Sequence, residues 1–201
     1  MLTHACRCLG WEGLCVEPLQ RYHKALRANR SCTLVPECIS AEPNSTLVMQ
    51  LERHGEKHGS LAIAASTKSP QQRIRGSVDV RIRCNPLHEM LRRVGRTAVD
   101  LWSLDVEGHE PQVLGAVQWA KTPVSVLLAE AGTAKDAAAI DAVLAAGASR
   151  LAMEHKLHID VVYADRGGGG GAMGGALPAA KPARFWLQPN EASLAHAIPV
   201  R

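Results

Sequence analysis

The seven residues Leu104-Asp105-Val106-Glu107-Gly108-His109-Glu110 gather three carboxylates and an imidazole directly after an apolar run. Charge at that density behind a buried strand costs free energy unless it is exposed or in use. Four uses are open. Asp105, Glu107 and His109 could be hard oxygen and nitrogen ligands for Mg²⁺ or Mn²⁺. Asp105 and His109 could exchange protons, His109 having an ordinary pKa suited to neutral pH. Glu107 and Glu110 could solvate a strand end and favour the first turn of the next helix. Gly108 permits a backbone angle that would turn the chain into that helix.

The flanking pattern says where such a motif sits. "AVDLWSLDVEG" (98–108) reads as a strand with the charged motif at its carboxyl end, and "EPQVLGAVQWA" (110–120) as the helix that follows, despite Gly115 in its interior. "VSVLLAEAG" (124–132) is the most apolar run and reads as a strand buried on both faces, ending in Glu130. "KDAAAIDAVLAAG" (135–147) reads as a helix with Asp136 as its cap and Gly147 as its stop. "SRLAMEHKLHIDVVYAD" (149–165) reads as an antiparallel hairpin.

Upstream, "GLCVE" (13–17) is a short strand ending in Glu17. "PLQRYHKALRAN" puts Leu19, Tyr22, His23 and Leu26 on one helical face behind Pro18. "CTLVPECIS" (32–40) is strand-like, with Pro36 marking an edge, a bulge or an end. Residues 41–83 form an irregular excursion with "TLVMQL" and "SVDVRI" as short strands, and "NPLHEMLRRVG" (85–95) is a helix with Asn85 as cap. Strand alternating with helix is the pattern of an α/β fold with a parallel sheet. The expected organisation is a domain over 1–165 carrying the 41–83 insertion, a Gly/Ala/Pro-rich linker over 166–184, and a tail over 185–201. Seven glycines within 167–175 lack the strand-to-helix context of a phosphate loop and read as linker. Phe185 and Trp186 give the tail a means of docking on the body.

Composition narrows the partners. Net charge is +4 with scattered Lys and Arg, and aromatics make up 3%, too few for platforms that stack single-stranded nucleic acid. No apolar run has the length of a membrane span. The six cysteines form no C-x-x-C pair, and Cys15 and Cys32 lie in apolar runs where a free thiol behaves as a small hydrophobe. That reading favours a reducing, cytoplasmic setting. His54, His58, His155 and His158 read as surface residues.

Ligands of open parallel sheets bind beyond the carboxyl ends of the strands, and Glu17, Asp105 and Glu130 each end an apolar strand. An acid in the position of Glu17 accepts hydrogen bonds from ribose hydroxyls in nucleotide-binding halves, with a glycine-rich turn about 20 residues upstream. The preceding "MLTHACRCLGWEG" contains neither that turn nor an apolar first strand.

"CLGWEGLCVEP…YHKALRANRSC", "VDLWSLDVEGHEPQVLGAV", "VSVLLAEAG" and "IDVVYAD", in that order, resemble the FkbM-type methyltransferases over residues 5–40 and 84–165. The resemblance implies a Rossmann-like sheet of the class I methyltransferase kind with a C-terminal antiparallel hairpin. It implies transfer of a methyl group from S-adenosylmethionine to a hydroxyl or related heteroatom of a sugar or small molecule. Glu17, with Pro18 and Ser40, would face the cofactor. Asp105 would be the base or orienting group, with His109 and then Glu107 as further candidates, and Glu130 would contact the acceptor. The family's first strand and glycine-rich turn have no counterpart, and residues 2–12 resemble the helix that follows that turn. The expected sheet therefore lacks its first strand, through truncation or degeneration. Two other readings stay open: a non-catalytic interaction domain, and a metal-dependent enzyme centred on Asp105, Glu107 and His109.

Overall fold

The computed structural model describes residues 11–52, 62–64, 77–148, 150–157, 159–166 and 185–189. Expectations for residues 2–10, His54, His58, His158, the glycine run and the segment beyond Pro189 lie outside them. The elements in chain order are β1 (Glu12–Val16), α1 (Gln20–Asn29), β2 (Thr33–Val35), β3 (Cys38–Ile39), β4 (Ser45–Glu52), β5 (Ala62–Ala64) and β6 (Ser77–Asn85). Then follow α2 (Leu87–Arg93), β7 (Val99–Leu104), α3 (Glu110–Gly115), a 3₁₀ turn (Trp119–Lys121), β8 (Val124–Glu130), α4 (Ala134–Gly147), β9 (Leu151–Leu157), β10 (Asp160–Asp165) and β11 (Phe185–Pro189).

Seven strands form one mixed sheet in the order β2-β1-β11-β7-β8-β10-β9. The pairs β2–β1, β1–β11, β11–β7 and β7–β8 are parallel, and β10 is antiparallel to both β8 and β9. The expected hairpin is thus β9–β10. β3, β6, β4 and β5 form a second, four-stranded sheet from the 41–83 excursion and its flanks. Pro36 falls in the break between β2 and β3, which belong to different sheets, because a residue without an N–H cannot continue the ladder.

The sheet centre holds β11 between β1 and β7. The larger core cluster packs on one face of this sheet, and a smaller one gathers Cys15 of β1 and Leu26 of α1. Leu14, Trp102, Leu104, Leu127, Val161 and Tyr163 are essentially fully buried, and Leu87, Met90, Leu91, Ile140 and Leu144 cover them from α2 and α4. β8 is less evenly buried than its composition suggests: Val124, Leu127 and Ala129 are buried while Ser125 is exposed.

Four of the cysteines are not free. Cys15 is bonded to Cys32 and Cys38 to Cys84, which corrects the expectation of reduced hydrophobic thiols. Cys38 and Cys84 are register partners across β3 and β6, a proximity that linear spacing does not show.

Helix ends also differ from the sequence signals. α2 starts one residue after Pro86, and Asn85 does not cap it. The Asn85 amide instead donates to Glu37 Oε2 at 2.8 Å, while its Oδ1 accepts the Asn44 N–H at 2.8 Å. Glu37 is buried and also accepts from Arg93 at 2.9 and 3.0 Å. Burial works against its charge, but the hydrogen bonds of Arg93 and Asn85 hold its carboxyl below the usual value. α3 stops at Gly115, as the poor helix propensity of glycine predicts, rather than running on to residue 120.

α4 is capped by Thr133, one turn ahead of the expected Asp136. Thr133 Oγ1 accepts the Asp136 N–H at 3.2 Å, and Asp136 Oδ2 accepts the Thr133 N–H at 3.0 Å, a reciprocal capping box. Thr133→Ala is expected to cost about 1 kcal/mol, a fall of roughly 2–4 °C in Tm read by thermal denaturation. At the other end Gly147 lies against Trp119, where an added Cβ would come within 2.8 Å of the indole Cδ1.

Candidate active site

The parallel strands end together along one rim. Leu104 pairs with Ala129, so Asp105 and Glu130 follow side by side on β7 and β8, one strand spacing or about 4.8 Å apart. Glu130 pairs across to Asp160 at the start of β10. Asp160 is an acid that the sequence reading passed over. It opens an antiparallel strand, and only the hairpin register brings its end to the rim shared by Asp105 and Glu130.

The two neighbouring carboxyls share a hydrogen bond. Burial, then the charge of Glu130, then that bond raise Asp105 from its ordinary value of 3.8 to about 8, with Glu107 and Glu110 adding to the effect. Glu130 is also raised, chiefly by burial and by the charges of Glu107, Glu110 and Asp160, while its bond to Asp105 works the other way. With its carboxyl raised to about 8, Asp105 is largely protonated at neutral pH, and the two carboxyls titrate as a pair.

The turn after Asp105 is built by its own acids. Glu107 adopts a left-handed conformation at φ 57°, unusual for a residue with a side chain, and Gly108 follows at φ 87°. The strand has already ended at Leu104, so the alternation that would put Glu107 and Asp105 on one face does not extend to them. Glu110 is only 1% exposed, and its Oε1 accepts the N–H groups of Val106 at 2.8 Å and Gly108 at 3.3 Å. Far from merely solvating a helix start, Glu110 is the fastening of the turn. His109 occupies the N-cap position of α3, with Nδ1 buried and without a hydrogen-bond partner in the structure.

A cavity of about 180 Å³ opens here, lined by Glu107, Gly108, Glu110, Glu130, Gly132 and Asp136. The oxygens that lie within 4.8 Å of one another belong to Asp105, Glu110 and Glu130. Among the described residues Glu107 and His109 are not in that group, so the ligand set expected for a metal is not the one brought together.

Glu17 directly follows β1, buried to 1% exposure. Its Oε1 accepts the Leu19 N–H at 2.7 Å, and its carbonyl accepts the His23 Nε2–H at 2.8 Å, which anchors the first turns of α1 around Pro18. Its own N–H donates to the Val35 carbonyl at 3.0 Å, tying the ends of β1 and β2. Ser40, just past β3, donates its hydroxyl to the Glu42 carbonyl at 2.8 Å and accepts from the Ser45 hydroxyl at 2.9 Å. Its N–H donates to the Asn85 carbonyl at 3.1 Å, so the Glu37–Asn85 network also fixes this turn. His155 is exposed on β9, as expected of a surface histidine.

These observations define a mixed α/β protein with acids gathered at the carboxyl ends of parallel strands. The family model described as the methyltransferase FkbM domain matches residues 2–151. The chain belongs to that family, and its general activity class is methyl transfer. No curated protein and no solved structure matches the chain. No helix among the described residues is long and apolar enough to cross a membrane.

Proposed function

We propose that this chain is an S-adenosylmethionine-dependent O-methyltransferase acting on a hydroxyl of a sugar or small molecule, through a Rossmann-like sheet formed by residues 1–165 together with β11. The observation that carries the reading is the Asp105–Glu130 carboxyl pair brought together at the rim, with Asp105 raised to about 8 by burial and by Glu130. Its residues fit the cofactor's chemistry. S-adenosylmethionine is a cation with two ribose hydroxyls, and acids at the ends of β1, β7 and β8 face the same rim. Glu17, Pro18 and Ser40 would hold its nucleoside side.

The bound cofactor would supply an electrophilic methyl group on a sulfonium. The chain's part is to orient the acceptor hydroxyl, keep water out and take the proton released as the oxygen attacks. The Asp105–Glu130 pair, whose titration is moved toward neutral pH at Asp105, is the group that would take it. The base is thus assigned to the pair rather than to Asp105 alone.

Calorimetry of the full chain with S-adenosylhomocysteine tests the reading. Saturable binding is expected, weakened about 10- to 100-fold in Glu17→Gln, since a charged acceptor is worth roughly 1.5–3 kcal/mol per hydrogen bond. Absence of both heat and a thermal shift would leave the non-catalytic interaction domain as the better reading. A shift given by Mg²⁺ or Mn²⁺ alone and lost in Asp105→Asn would favour the metal-dependent one.

A further inference from the structure

We infer that β11, the strand at Phe185–Pro189, is the positioning element of the site: it is the strand whose ladder sets the height of Glu17 against Asp105. The register shows how. Leu187 of β11 pairs with Leu14 of β1 on one side and with Trp102 of β7 on the other. Trp102 pairs in turn with Leu127, and Leu127 with Tyr163. One row therefore crosses the sheet through Leu14, Leu187, Trp102, Leu127 and Tyr163. Three residues further toward the rim Glu130 pairs with Asp160, and Glu17 and Asp105 directly follow the ends of β1 and β7 on the same side. β1 and β7 are not hydrogen-bonded to each other; both pair to β11. The nucleoside-side acid and the proton-holding pair keep their relative level through this one strand, about 9.6 Å apart across two strand spacings.

The strand comes from the other end of the chain and is held by few bonds. It matches five residues of β1 and two of β7. Its connection to β10 has length to spare. Asp165 lies level with Ser125 on the β8 row and Phe185 level with Asp100, at the opposite rim, so the gap is three strand spacings, about 14 Å. A chain of the length of 166–184 can reach about 60 Å when extended. A reach of that size spans the gap in more than one register. The ladder itself must dictate the register, which makes the slot between β1 and β7 able to take the same sequence supplied from outside.

The roles of Glu17 and Asp105 in this inference rest on the methyltransferase reading; the register does not. The experiment separates the two by measuring amide hydrogen exchange in the full chain. Leu187→Pro removes a ladder N–H from β11. It is expected to speed exchange at least 10-fold in both β1 and β7 while β8, β9 and β10 keep their protection. A synthetic peptide of residues 183–190 at millimolar concentration should restore it, and Leu187→Val should stay close to the parent chain. S-adenosylhomocysteine affinity should fall and recover in step with protection.

Should Leu187→Pro fail to fold, doubling the 166–184 connection gives the second measurement. The effective concentration of the strand then drops about 3-fold, and exchange in β1 and β7 should rise by that factor and nowhere else. The inference is overturned if protection of β1 and β7 ignores both changes, or if the whole sheet loosens uniformly. If exchange follows the expected pattern but the parent chain binds no S-adenosylhomocysteine, only the methyltransferase reading falls.

Discussion

Asp105→Asn should make the protein more stable at pH 8 while it disables proton transfer. The carboxyl of Asp105 is raised from 3.8 to about 8 by burial and by Glu130, Glu107 and Glu110. Between those values the folded chain binds a proton that the unfolded chain has released. Stability is therefore greatest below the lower value, falls as pH rises through the window, and levels off above about 8. An amide cannot ionise, and it can still donate to Glu130. Allowing for solvent around a half-buried site, the gain at pH 8 is on the order of 1–3 kcal/mol, or roughly 3–8 °C in Tm. Thermal melts of both proteins at pH 4.5 and pH 8 decide the matter. A difference that does not grow with pH would show that Asp105 ionises normally. In the methyltransferase reading, loss of this proton-holding group should also slow transfer by about 10²- to 10⁴-fold.

Glu110→Ala should have the opposite effect on stability. The carboxylate of Glu110 holds the Val106 and Gly108 amides that define the turn, and almost none of it reaches solvent. Alanine leaves both donors without their charged acceptor, at a cost of about 2–4 kcal/mol, or roughly 5–12 °C in Tm. Glu110→Gln keeps an acceptor oxygen and should lose about half as much. The same substitutions remove a negative charge from the neighbourhood of Asp105, so its carboxyl should titrate lower. Carboxyl titration by NMR reads that shift. An unchanged Asp105 together with an unchanged Tm would mean that Glu110 neither fastens the turn nor couples to the pair.

The α/β character, the alternation of strands and helices, and the three acids at strand ends were legible in the sequence because they depend on local pattern. Val99–Leu104 and Val124–Glu130 are apolar runs closed by acids, and their place at the rim follows from strand direction alone. What local pattern cannot carry is contact across distance. Cys38 and Cys84 meet only through sheet register, and Asn85 leaves the cap of α2 because Glu37, far away in sequence, offers a buried carboxylate. Glu110 shows the same limit at short range. Its position in the first turn of a helix was readable, but its burial depends on how the left-handed Glu107 and Gly108 fold the chain back over it. The central position of β11 had only Phe185 and Trp186 as a signal, apolar residues in a segment otherwise resembling a tail.

The order in which the sheet is made has a consequence for its biosynthesis. β1 and β7 exist on the ribosome before β11 does, since roughly 80 residues separate Leu104 from Phe185. At about 5–20 residues per second that interval lasts several seconds. Throughout it both strands present open hydrogen-bonding edges at what will become the middle of the sheet. The nascent chain therefore remains divided and adhesive until β11 has been translated, and its yield in a cell should depend on chaperone supply more than that of a protein whose central strand is made before its neighbours.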